Sequence, residues 1–86
     1  MIVKALSEKH SVSVLLGLLD NGEVSKMRIM KFGPSINSID ALLEILKRED
    51  LISVKEERRG RRVFLISLTE KGRKVAEILD SIRKMG

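Results

Sequence analysis

Phe32-Gly-Pro-Ser-Ile-Asn-Ser-Ile-Asp-Ala-Leu-Leu-Glu-Ile-Leu-Lys-Arg-Glu-Asp-Leu-Ile52 decides the architecture, and Lys55-Glu-Glu-Arg-Arg-Gly-Arg-Arg62 follows it closely. Gly33 permits positive φ and Pro34 cannot continue a helix, so Phe32-Gly33-Pro34 reads as a turn. Ser35 then caps a helix whose apolar positions Ile39, Leu42, Leu43 and Leu46 form one stripe. Glu49-Asp50 closes that helix. Two strands follow, over about 52–57 and 62–68, both rich in β-branched or bulky apolar residues. They flank Arg59-Gly60-Arg61, which reads as a hairpin tip.

Upstream, Ser7 is an N-cap for a first helix over about 8–20. Val12, Leu15, Leu16 and Leu19 follow the i, i+3, i+4, i+7 rule, and Val14 and Leu18 add a second apolar flank. A helix apolar on more than one side is central to the core or shared with a partner subunit. Asn21-Gly22 ends it. A short second helix runs from Val24 to about Lys31, with Met27 and Met30, or Ile29, turned inward. Its Lys26, Arg28 and Lys31 leave the other side cationic. Downstream, Thr69 caps a last helix to about Met85, striped by Val75, Ile78, Leu79 and Ile82. Gly72 in its first turn suggests close packing against a neighbour. The fold class is therefore α+β: three helices, a two-stranded β-hairpin and a C-terminal helix, in one domain over 1–86.

Composition narrows the function. Eighty-six residues support one modest core. No run approaches the roughly 18 apolar residues that span a membrane, and Met1–Leu6 is too short and too soon charged for a secretory signal. The absence of cysteine excludes disulfides and thiolate metal sites. A soluble cytoplasmic protein is the simplest reading. Phe32 and Phe64 are the only aromatics, so the core is aliphatic and stacking platforms for single strands are lacking. The abundance of charge and isoleucine is of the kind seen in heat-adapted proteins. Residues 51–86 carry the whole of the +5 net charge, a bias that points to anionic partners.

Catalysis finds no support. His10 is the single histidine and has no metal-ligand companions. Ser7, Ser11 and Ser13 lack a paired base, and Gly17 and Gly22 make no phosphate-cradling pattern. No enzyme activity and no cofactor are expected.

The chain resembles the winged helix-turn-helix transcriptional regulators of the MarR and HxlR type, including the small archaeal versions. The resemblance rests on Phe32-Gly-Pro-Ser35 as the turn, on Leu42-Leu43 and Leu46, and on the exit Asp50-Leu51-Ile52. It continues through the charged wing to Leu68-Thr-Glu-Lys-Gly-Arg73, the phrase that opens the last helix. It implies a helix-turn-helix over about 24–49, a wing over about 52–68 and a final helix over about 70–85. It also implies a homodimer on a near-palindromic duplex, with the third helix in the major groove and the wing on the backbone or in the minor groove. Val75, Ile78, Leu79 and Ile82 would form the dimer interface.

Subtracting the core stripe leaves Ile36, Asn37, Asp40, Ala41, Glu44 and Arg48 on the outer side of the third helix. Asn37 can read adenine, Ser35 or Ser38 can reach phosphate or a base edge, and Ile36 can touch a thymine methyl. Lys26, Arg28 and Lys31, with Lys55, Arg58, Arg59, Arg61 and Arg62 on the wing, supply phosphate contacts. Asp40 and Glu44 stand where a cation is expected. Members of the family often carry one near Ile36 or Ala41, and this chain does not. Two readings stay open: a dimeric DNA-binding regulator, or an interaction module whose acidic third helix docks a protein partner.

Overall fold

The computed structural model describes residues 10–85, apart from the Arg59 side chain. In chain order the elements are α1 (Ser11–Asn21), β1 (Val24–Ser25), α2 (Lys26–Ile29), α3 (Ile39–Arg48), β2 (Ile52–Arg59), β3 (Arg61–Leu68) and α4 (Glu70–Met85). A 3-10 turn, Met30–Phe32, continues α2. The strands make one antiparallel sheet in the order β1-β3-β2. None of the described helices is long and apolar enough to cross a membrane.

The expected order of helices and hairpin is present, with an added strand. Val24-Ser25, expected to open the second helix, instead pairs with Ile66 and Leu65 of β3. Val24 is β-branched and buries its side chain beside Ile66, so tertiary pairing outweighs a short helix's weak propensity. Ser25 then caps α2, its hydroxyl accepting from Arg28 N at 3.3 Å. This shift also turns Met27 outward, to 69% exposure, while Ile29 is buried.

The first helix is corrected in two ways. The Ser7 cap and the start at Glu8 lie outside the described residues, but His10 has φ 69 and is not helical, so α1 begins at Ser11. Its buried face is Ser11, Val14, Leu15 and Leu18, while Val12 is exposed. What had looked like the second flank is thus the main one. Helix α3 buries Ile39, Leu42, Leu43 and Leu46, the four expected residues. It starts at Ile39, however, because Ser35–Ser38 forms a turn in which Ser35 O accepts from Ser38 N and Ile39 N. Ile36 and Asn37 therefore precede the helix. The hairpin strands extend further than expected, with Arg59 paired to Arg61 and only Gly60 (φ 79) between them.

The end of α3 and the start of α4 meet in a tight junction. α3 ends with Asp50 in the left-handed region (φ 60), Asp50 N donating to Lys47 O and Leu51 N to Leu46 O. This pair of bonds is a Schellman ending. The start of α4 sits directly on it. Thr69 N donates to Leu51 O at 3.1 Å, and Thr69 Oγ1 donates to Asp50 O at 2.5 Å. The same hydroxyl accepts from Gly72 N at 3.0 Å, and Lys71 Nζ reaches Glu49 O at 3.0 Å. Gly72 is obligatory here, since a Cβ would overlap the Leu51 carbonyl.

Helix α4 keeps its expected bounds, and its stripe divides. Gly72 and Ala76 are buried and Val75 and Leu79 pack on the domain's own core. Ile78 (63% exposed), Ile82 (61%) and Met85 (87%) lie in solvent. The exposed row is roughly a quarter-turn round the helix from the buried one. At the far end, Arg83 pairs with both Asp80 and Asp20 of α1, and Lys84 Nζ lies 3.1 Å from Asp80 Oδ2.

Two stability tests follow from these contacts. Gly72→Ala is expected to destabilise by about 1–3 kcal/mol or more through overpacking against backbone, and Thr69→Ala by about 1 kcal/mol through the lost cap. Urea titration gives both values, and an unchanged midpoint in Gly72→Ala would remove the junction's proposed tightness. Bonds from Lys84, then from Arg83, hold the Asp80 carboxyl below its ordinary 3.8. That network therefore adds stability above pH 3.8, and the contribution is lost as pH falls through the lower folded value. Asp80→Asn is expected to flatten the acid limb of a melting-temperature-versus-pH curve while leaving its shape near neutrality.

Candidate nucleic-acid interface

The hairpin register sorts the basic residues onto two faces. Val54, Glu56 and Arg58 oppose Ile66, Phe64 and Arg62, whereas Lys55 and Glu57 oppose Leu65 and Val63 on the other face. The first face continues the core: Ile66 is buried, Phe64 half-buried, and Arg62 and Arg58 exposed beyond them. Eight residues per strand extend about 26 Å, so the arginine end stands clear of the core. Each face carries its own acid. Arg62 Nε pairs with Glu56 Oε2 at 2.7 Å, and Lys55 Nζ with Glu57 Oε1 at 3.2 Å. Arg58 and Arg61 are exposed, with no ion-pair partner found for either among the described residues.

Beside this face lie α2 and α3. A cleft of about 220 Å³ runs between α3 and the sheet, lined by Lys26, Asp40, Leu43, Glu44, Lys47 and Phe64 among others. A second, of about 230 Å³, lies on the other side of Lys26 and is bounded by Met27, Arg61 and Arg62. Lys26 divides them. Its ammonium sits 5.7 Å from the centroid of the Phe64 ring and pairs with Asp40. The pair is solvated, with Lys26 35% and Asp40 74% exposed, so its contribution to stability is at most about 1 kcal/mol.

The polar residues ahead of α3 are committed to each other. Ser35 N donates to Ser38 Oγ at 3.1 Å, the two hydroxyls lie 3.1 Å apart, and Ser38 Oγ donates to Ser35 O at 3.3 Å. Ile36, 72% exposed, and Asn37, also exposed, stand free at the crest of this turn. Arg28 and Lys31 are exposed on the α2 side, and Arg48 at the end of α3. Lys26 thus stands between two clefts, one lined by Asp40 and Lys47, the other by Arg61 and Arg62, with Phe64 on both and neither Lys55 nor Glu57 on either. Sequence reading had left out both Lys47 and Phe64. Strand alternation from the buried Ile66 through Phe64 to Arg62 carried the signal for Phe64. For Lys47 it was the spacing of three residues from Glu44. Among the described residues no group of three His, Asp or Glu side chains gathers to hold a metal ion.

The chain matches no family model and no curated protein sequence. Its fold is similar to a solved structure of a transcriptional regulator homologue from Pyrococcus horikoshii OT3. The TM-score is 0.80 at 18% identity, over 94% of this chain and 82% of that one. At that identity the likeness concerns the fold.

Proposed function

We propose that this chain is a single winged helix-turn-helix domain of the MarR/HxlR type and acts as a DNA-binding transcriptional regulator. The observation that carries the reading is the convergence of an exposed α3, the cationic α2 and an arginine-ended hairpin on one side of the molecule. α3 enters the major groove, and the hairpin serves as the wing along the backbone. Lys26, Arg28, Lys31, Arg58, Arg59, Arg61 and Arg62 supply phosphate contacts, with Ser35, Ile36, Asn37, Ser38 and Arg48 at the groove, while Lys55, expected among them, is paired with Glu57 on the other hairpin face. The fold shared with the Pyrococcus regulator homologue supports this assignment.

A homodimer is part of the proposal, and the exposed row on α4 supports it. Ile78, Ile82 and Met85 put three large apolar side chains in water on one helix face. Val75 and Leu79, expected to share that interface, are half-buried in their own domain, so their role is intramolecular first. The alternative reading, in which α3 docks a basic protein partner, is favoured by Asp40 and Glu44 on its exposed side.

Fluorescence anisotropy with mixed-sequence duplex DNA is expected to give binding that weakens about 10³-fold between 50 and 200 mM salt if roughly six phosphates are contacted. Absence of binding at about 50 mM salt, where phosphate contacts are strongest, would instead favour the protein-docking reading. Arg58→Ala with Arg61→Ala is expected to weaken all sequences alike and to flatten the log–log salt slope by about 2. An unaltered slope would remove the hairpin from the interface. Ile78→Glu with Ile82→Glu is expected to convert a dimer into a monomer in analytical ultracentrifugation with the fold intact by circular dichroism.

A further inference from the structure

Asp40 and Glu44 are one helical turn apart, look equivalent in the sequence and line the same cleft, yet of the two it is Asp40 that Lys26 holds in an ion pair. The buried row of α3 is Ile39, Leu42, Leu43 and Leu46. At 100° per residue the opposite row is Ala41, Glu44 and Arg48, and all three are exposed. Asp40 lies off that row, toward α2, where Lys26 holds it in an ion pair. No such partner is found for Glu44 among the described residues. An acid on the outermost line of a helix in the major groove meets phosphate repulsion unless it finds a donor on a base edge.

We infer that Glu44 is the specificity-determining residue of α3 and reads cytosine, whereas Asp40 is the counter-ion of Lys26 and reads nothing. The inference rests on the DNA-binding function proposed above. Two base-edge donors are available in the major groove, cytosine N4 and adenine N6. Adenine presents its N7 acceptor beside the N6 donor, and a carboxylate, having acceptors only, is repelled there. Cytosine offers the donor alone. Ala41, one turn earlier, adds no bulk on the same row, so the helix backbone can approach the bases and bring the Glu44 carboxylate within reach. Glutamine in the same place would prefer adenine, since it can donate to N7 while accepting from N6.

The test uses the full chain and a duplex site obtained by selection, with each base pair varied in turn. Wild type, Glu44→Gln and Asp40→Asn are compared by competition at a fixed salt of about 100 mM, because affinities at different salt are not comparable. Wild type is expected to prefer cytosine at one position of each half-site by about tenfold. In Glu44→Gln that preference moves to adenine. In Asp40→Asn it stays on cytosine while every sequence binds severalfold tighter, since the freed Lys26 meets phosphate unopposed. Unchanged base preferences in Glu44→Gln, with only a uniform gain in affinity, would overturn the inference and leave the DNA-binding reading standing. Loss of the cytosine preference in Asp40→Asn would overturn the division of roles. If wild type binds no duplex, the DNA-binding reading fails and this inference fails with it.

Discussion

The contact on which the arrangement depends is the seat of α4 on the end of α3. Thr69 is a cap for its own helix and a donor to the backbone of another, nineteen residues away. Leu51, fully buried, carries the carbonyl that Thr69 N uses and that Gly72 must clear. Because the hairpin leaves and returns within this junction, its base cannot move independently of α3. That couples the direction of the arginine-bearing strands to the exposed row of the helix. Such a junction satisfies helix-end carbonyls of α3 and an amide of α4 that otherwise need water.

Charge on this molecule is organised locally rather than as one uniform basic patch. The net +5 conceals a carboxylate on each hairpin face and two on the outer half of α3. Glu56 and Glu57, adjacent in sequence, fall on opposite faces and each engages a cation of its own face. Lys26 is likewise held, between Asp40 and the Phe64 ring. These pairs are at least partly solvent-exposed and individually weak. Arg58 and Arg61 are exposed, with no ion-pair partner found among the described residues.

Much of the fold was legible because the decisive residues act locally. The α3 stripe follows directly from a 3.6-residue period with one core behind it, and the bounds of α4 follow from Thr69 and the glutamate after it. Where the reading failed, a distant partner decided. Val24 and Ser25 are too short a run to read locally as a strand, and become one because Ile66 and Leu65 present an open edge beside them. Met27 turned outward as a consequence. The first helix has apolar residues on two flanks, and only the positions of α4 and the sheet select Val14 over Val12 as the buried one. At the candidate interface, the arginines and Asn37 were visible as residue types, but not the hydroxyl pairing that occupies Ser35 and Ser38.

The sequence by itself determined the order of the helices and the hairpin, the core face of α3, the hairpin tip and the excess of cations toward the C-terminal part. These rest on helical periodicity, backbone-permissive residues and composition, all readable within a few neighbours. Only the tertiary structure decided that Asp40, and not Glu44, is held by Lys26. It also decided that the α4 stripe splits into a half Val75 and Leu79 bury and a half Ile78 and Ile82 expose. The reason is common to both: which side of an amphipathic helix is covered depends on the angle at which its neighbours pack, and that angle is set by contacts far apart in the chain.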